Sequence, residues 1–336
     1  MSIHINCSEA SELPCGFEFD LRNMKNFPLG LLAIAIVCSS MPTTRAIGAA
    51  PAALKTFLEH EGFGESALAR RFGNHLFANT NMNGRRTALL VDTGCPFTLI
   101  DRASARKVGL GVQETKSYIV GVTGEAQHSG VSKLKTLAMG NCTFIDVPVQ
   151  VADESDINQY ANPHMDGLFG AHEMAKFGMI IDCTRQMMYV NPKGSSAAAS
   201  QKLVQFLSGR GFTRIPMHFN AEHHPEVEAA INGHPTRMIV DTGSFVTLLS
   251  APSAASFGAT FSSQFSRDGE GIAHIQQLSL GNLTINNAEV IVGKVAKMVG
   301  TGLLGEEYLS WNFAVIDFGG MNLFLRPPES APAKKR

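Results

Sequence analysis

Apolar residues along this chain come in short runs broken by Gly, Asn and Ser, not in long amphipathic stretches. Thr87–Val91, Met179–Asp182, Met187–Val190, Met238–Val240, Phe313–Asp317 and Asn322–Leu325 each have the length of a strand. Short strands at regular spacing with Gly-rich turns predict an all-β barrel or sandwich in each half of the chain. Asn83-Gly84 and Asn232-Gly233 are hairpin signals, because both central positions of such a turn need positive φ. Asp101 and Ser250 stand where a helix N-cap would, and Gly109 and Gly258 where the chain would leave that short helix. Leu54, Phe57 and Leu58 have helical spacing within Ala50 to Leu68, which predicts an amino-terminal helix packed on the fold. The stretch from Lys193 to Gly211 opens with Gly, Ser and Ala and reads as a linker, with one helical turn at Lys202–Leu207.

The pattern repeats. Asn83 to Gly109 aligns without gaps on Asn232 to Gly258, 149 residues later (Asp92 to Asp241). A second block pairs Gly167-Leu168-Phe169-Gly170 with Gly302-Leu303-Leu304-Gly305, then Ile181-Asp182 with Ile316-Asp317, 135 residues apart (Leu168 to Leu303). Between them, Leu137 to Asn141 echoes Leu278 to Asn282. The blocks keep their order in both halves, so the chain reads as an internal duplication. This sets the expected organisation: an extension and leader at 1–46, an amino-terminal segment at 47–73, lobes at 74–192 and 212–326, a linker at 193–211 and a tail at 327–336.

Composition adds bounds. At 336 residues and 44% hydrophobic content the chain can bury two cores. Its 28 basic and 29 acidic residues leave a net charge of −1, with no basic stripe for nucleic acid. Met24-Lys25-Asn26 precedes the apolar run Phe27–Val37, which leads to Thr44-Arg45-Ala46; that is the layout of a secretory signal, with Met24 as the natural start. The apolar run is too short to span a bilayer, so the expected product is exported, periplasmic or secreted, with no membrane association beyond the signal. Removal near Ala46 leaves Cys95, Cys142 and Cys183, an odd number without a Cys-x-x-Cys pair. Cys95 is expected to be a small buried side chain, not a nucleophile.

The repeated tripeptides Asp92-Thr93-Gly94 and Asp241-Thr242-Gly243 carry the candidate chemistry. Hydrolysis of an amide by water needs a base for the nucleophile and an acid for the departing groups. Two carboxylates held close cannot both ionise cheaply, so one keeps a proton while the other serves as base. Gly94 and Gly243 permit a tight turn after each strand, and the hydroxyls of Thr93 and Thr242 can bond across the junction. The repeated Asp182 and Asp317 read instead as structural strand-end residues. His218, His223 and His224 cluster with Glu222 and Glu226 but lack His-Glu-x-x-His spacing, so a solvated loop is expected there, with no metal and no cofactor.

With Leu89–Gly94, Met238–Gly243 and the hydrophobic-hydrophobic-Gly elements Leu168–Gly170 and Leu303–Gly305 in view, the chain resembles the retropepsin/pepsin clan of aspartic proteases over residues 74–326. It is similar to a two-lobed single chain with short lobes, like the bacterial retropepsin-like proteins. The resemblance implies an active-site cleft between duplicated acid-protease lobes, water activation by Asp92 and Asp241, and an interlobe grip by Thr93 and Thr242. It also implies glycine-bearing flaps, expected at Ser117–Glu125, with Tyr118, Gly121 and Gly124, and around Gly269. Members of the clan usually have Ser, Thr or Ala after Asp-Thr-Gly; this chain has Cys95 and Ser244. A Ser244 hydroxyl donating to Asp241 would make Asp241 the more readily ionised carboxyl and leave the shared proton on Asp92. The expected activity is a monomeric aspartic endopeptidase acting on extended polypeptide; the alternative is a peptide-binding protein of the same fold with weak or no catalysis.

Overall fold

The computed structural model describes residues 50–71, 74–120, 126–158, 164–191, 194, 196–262, 271–296 and 299–327. The expected leader at 1–46, the residues from 328, and the expected flap glycines Gly121, Gly124 and Gly269 lie outside these. The architecture is all-β and two-lobed, with short helices at the strand ends. Among the described residues no helix is long and apolar enough to cross a membrane.

Each lobe is built on the same strand logic. In the first, His75–Met82 and Arg85–Val91 form a hairpin through Asn83 and Gly84, at φ 49° and 84°. In the second, Pro225–Ile231 and His234–Val240 do so through Asn232 and Gly233, at φ 50° and 81°. Both turns take the left-handed conformation that Asn-Gly tolerates best. Long antiparallel ribbons, Ala126–Met139 with Cys142–Ala152 and Gly271–Leu280 with Leu283–Gly293, wrap each lobe. Alternate residues turn inward, so Leu134, Leu137, Val147, Val149, Ile275, Leu278 and Val292 fill the cores. Asp101 and Ser250 cap their helices through the amides of Ser104 and Ser253.

The lobes are joined by a six-stranded antiparallel sheet to which each contributes three strands. Its order is Gly64–Arg71, Met187–Val190, Ile180–Asp182, Val315–Asp317, Asn322–Leu325, Thr213–Phe219. At its centre Ile181 faces Ile316, so equivalent residues of the two halves meet each other. Asp182 and Asp317 close the turns that follow: Asp182 accepts from the Arg185 amide and guanidinium, and Asp317 from the Gly320 amide. Gly64–Arg71 also pairs with His75–Met82, so the first lobe's sheets begin upstream of the boundary expected at residue 74.

The linker is more ordered than its composition suggests. Residues Ala197–Ser208 form a 12-residue helix, not a single turn at Lys202–Leu207. Ser196 caps it by accepting from the Ala199 amide, and its alanines have the strongest helix preference of any residue. Leu203 and Leu207, one turn apart, pack with Leu54 and Leu58 of helix Ala50–His60 on Ile180, Tyr189, Val315 and Phe324 of the interlobe sheet. The amino-terminal helix is thus part of a core that the two lobes share.

A buried ion pair adds a second tie between halves. Arg70 Nη2 lies 3.0 Å from Glu306 Oε1 and donates to the Cys183 carbonyl at 2.7 Å. Burial pushes the Glu306 carboxyl up to about 7, although Arg70 and the Ser310 hydroxyl oppose the shift. A carboxyl raised on folding stabilises fully below its unfolded value near 4.5, and that contribution is lost as pH rises through about 7. The loss is on the order of 3 kcal/mol. Glu306→Gln should therefore flatten the stability profile across this window, as read from urea midpoints at several pH values; an unchanged slope would contradict the assignment.

Candidate active site

The two Asp-Thr-Gly turns are delivered to one place by the strands that precede them. Arg85–Val91 runs parallel to Gly167–Phe169, which is itself antiparallel to Leu99–Asp101; His234–Val240, Gly302–Leu304 and Leu248–Ser250 repeat this arrangement. The Asp92 amide donates to the Phe169 carbonyl and the Asp241 amide to the Leu304 carbonyl, both at 3.0 Å. Each carboxyl therefore leaves its strand end at a fixed height over the paired hydrophobic-hydrophobic-Gly element.

Reciprocal bonds lock the turns together. Thr93 Oγ1 donates to the Val240 carbonyl and Thr242 Oγ1 to the Val91 carbonyl, each at 2.6 Å. Each hydroxyl also accepts the other threonine's amide, at 3.1 and 2.9 Å. Both threonines are fully buried, so all four polar groups are satisfied where water cannot replace a lost partner. The glycines matter for space as well as for turning: a Cβ on Gly94 would overlap the Asp241 carboxyl, and one on Gly243 the Asp92 carboxyl. Each lobe's glycine is the seat for the other lobe's acid.

The electrostatics of the pair are unequal. Burial pushes the Asp92 carboxyl well above the usual carboxylate range, and the neighbouring Asp241 charge adds to the rise. Partial relief comes from the amides of Cys95, 2.9 Å from Asp92 Oδ1, and of Gly94. Burial raises Asp241 too, but the amides of Gly243 and Ser244 both donate to its Oδ1, at 2.8 and 3.1 Å, and hold it lower. The arrangement keeps one proton on the pair, with Asp92 its preferred holder and Asp241 the more readily ionised partner.

The reason for this bias differs from the one expected. The Ser244 hydroxyl donates to the Val246 carbonyl at 2.9 Å and not to Asp241. Cys95 Sγ does the same toward the Phe97 carbonyl at 3.1 Å, so Cys and Ser hold equivalent turns and neither hydroxyl nor thiol reaches an acid. Cys95 is also half-buried where a buried side chain was expected, and burial next to Asp92 raises its thiol well above 9. The expected solvated histidine loop needs correction at one member. His224 is buried, and its Nδ1 lies 2.7 Å from the Gly94 carbonyl. Its sequence signal was available: it stands 149 residues after His75, the same spacing as the two acids.

Asp92, Thr93, Gly94, Asp241, Thr242, Gly243 and Ser244 are thus brought together. Tyr118 lies on the exposed strand Gln113–Val120, its ring 4.2 Å from that of His128 on the paired strand. This ribbon carries the expected first flap, whose tip is outside the described residues. Among the described residues no three His, Cys, Asp or Glu side chains form a metal-holding group.

Comparison with known proteins accords with this geometry. The aspartyl protease family matches residues 78–172, and the gag-polyprotein aspartyl protease family residues 227–311. Together they take in more than half of the chain, one match around each Asp-Thr-Gly. Each half thus carries an aspartyl protease domain, and the chain is a retropepsin/pepsin-like aspartic protease. Among solved structures it is similar to basic 7S globulin from soybean, at 10% identity and a TM-score of 0.49, over 79% of this chain and 94% of that one. It is also similar to aspartic proteinase from Irpex lacteus, at 13% identity and a TM-score of 0.47, over 82% and 100% of the two chains. A search of curated proteins gave no match.

Two outcomes follow from the bonding pattern. Thr93→Val orphans the Val240 carbonyl and the Thr242 amide, at about 1–3 kcal/mol each, whereas Thr93→Ser retains the hydroxyl; denaturant midpoints should separate the two variants clearly. Ser244→Ala should leave the acidic limb of the pH–rate profile in place, because its hydroxyl serves Val246. An upward shift of that limb would restore the direct Ser244–Asp241 bond.

Proposed function

We propose that this protein is an aspartic endopeptidase that cleaves extended polypeptide by direct attack of water. The observation that carries this reading is the reciprocal seating of Asp92 and Asp241 with unequal hold on one proton. Ionised Asp241 takes a proton from the bound water as its oxygen bonds to the scissile carbonyl carbon. Asp92 gives its proton to the carbonyl oxygen, which yields a neutral gem-diol. On collapse the C–N bond breaks, the amine nitrogen receives the proton held by Asp241, and Asp92 recovers one from the diol. The pair ends as it began, with water divided between a new carboxyl and a new amine.

An extended substrate suits this site because Gln113–Val120, the outer strand of the flap ribbon, is largely exposed and can dock strand-like backbone. Both acids come from one chain, which favours a working monomer. The leader pattern before Ala46 favours action outside the cytoplasm. The test is digestion of a peptide library by the leader-free protein beside Asp92→Asn and Asp241→Asn. Cleavage by the parent alone is expected, with a loss of several orders of magnitude in both variants. Cleavage that survives either substitution would reject the mechanism, and binding without cleavage in all three would make the protein a peptide-binding member of the clan.

A further inference from the structure

His224 sits where the mechanism above assigns no role. It lies just before the second strand of a hairpin whose tip is shaped by Asn220: the Asn220 side-chain oxygen accepts the amides of Glu222 and His224, and its Nδ2 donates to Glu226. This turn drives the imidazole inward, toward the other lobe. Nδ1 meets the Gly94 carbonyl at 2.7 Å, and since a carbonyl only accepts, Nδ1 carries the proton. Nε2 is buried without a partner among the described residues. The far side of the same peptide unit is the Cys95 amide, which donates to Asp92 Oδ1 at 2.9 Å. A single peptide group of the first lobe is therefore gripped by a histidine of the second lobe at its oxygen and by the acid at its nitrogen.

We propose that His224 is a positioning residue of the active site, which holds and polarises the Gly94–Cys95 peptide and so governs how firmly the acid pair keeps its proton. This rests on the protease reading for its consequence in turnover. A peptide whose oxygen is bonded to a donor becomes a stronger donor at its own nitrogen, and more so when the donor is charged. The chain of bonds thus runs from the second lobe's imidazole through one peptide to Asp92. His224 also lies near enough to Asp241 for a positive imidazole to favour the ionised carboxyl.

The surrounding charges leave this coupling directed at the acids. Facing it from the Asp-Thr-Gly turns are Asp92, Asp241 and the Cys95 thiol, which stays neutral because burial raises it. On its own hairpin are Glu222 and His223 at the tip and the neighbours His218 and Glu226, 3.7 Å apart. His172 stands further out, beyond Phe97, whose ring also neighbours His223. The first lobe has its own copy of this feature. His75, 149 residues earlier, is buried and packs edge-on against Phe245 at 5.6 Å, just past the second Asp-Thr-Gly. Each lobe thus sends a buried histidine to the other lobe's turn.

The test separates hold from charge. His224→Asn places an amide nitrogen where Nδ1 was and can keep the bond to Gly94, but it cannot become cationic; His224→Ala removes both. The acidic limb of kcat/KM should move upward by about half a unit or more in each variant, with the larger fall in kcat for alanine. A purely structural residue would lower stability or kcat and leave the limb where it was. Limbs within about 0.2 unit of the parent in both variants would overturn the proposal, as would failure of both to fold. If the parent protein does not cleave peptides, the protease reading fails separately. The His224 claim is then decided by carboxyl-carbon NMR titration of the acid pair in the parent and His224→Asn, where equal midpoints refute it.

Discussion

The active-site geometry depends on a reciprocal fit between two turns. Thr93 and Thr242 each donate to the strand carbonyl before the other lobe's acid and accept the other's amide. Gly94 and Gly243 each leave open the volume that the opposite carboxyl fills. Neither half can satisfy these groups alone, because the bonds run between lobes and the site is dry at the threonines. The six-stranded sheet, the two helices on its face and the Arg70–Glu306 pair hold the halves at the separation this fit requires. Stability and chemistry are consequently set at the same junction.

A nearly symmetric frame supports an unsymmetric pair of acids. The hydroxyl of Ser244 and the thiol of Cys95 occupy matching bonds to Val246 and Phe97, so this visible sequence difference does not set the bias. Both acids receive two backbone amides, Gly94 and Cys95 at Asp92 and Gly243 and Ser244 at Asp241; what differs is the surrounding charge, since Asp241 adds to the rise at Asp92 while His224 favours the ionised form of Asp241. Sub-ångström adjustments of a turn are enough to decide which acid holds a proton, because hydrogen bonds to a desolvated carboxylate act in a medium of low dielectric.

Much of this was legible in the sequence, since local rules and the repeat pointed the same way. Asn-Gly turns, the Asp101 and Ser250 caps and the apolar strand runs each obey short-range geometry. The doubled Asp-Thr-Gly and Leu-Phe-Gly/Leu-Leu-Gly elements located the crossing strands. The length of helix Ala197–Ser208 is hidden in the sequence by a Gly/Ser-rich start that resembles a linker, and packing of Leu203 and Leu207 on the shared sheet fixes it. The Ser244 bond could not be read from spacing, for a hydroxyl near both an acid and a carbonyl chooses by turn geometry. Arg70 and Glu306 are 236 residues apart (Arg70 to Glu306); Arg70 lies before the repeated blocks, and Glu306, within the second, stands opposite Ala171 and so has no acidic counterpart. His224 does carry a signal, its spacing from His75, but the two histidines stand eight residues before the aligned block, where little else repeats (His75 to Asn83).

The measurement that bears most directly on the central claim is a neutron crystal structure of residues 47–336 at mildly acidic pH. The expected map shows one solvent molecule bonded to both Asp92 and Asp241 and a single deuteron on the pair, held by Asp92. Two bare carboxylates, or acids that each bind separate solvent, would contradict the shared-proton account.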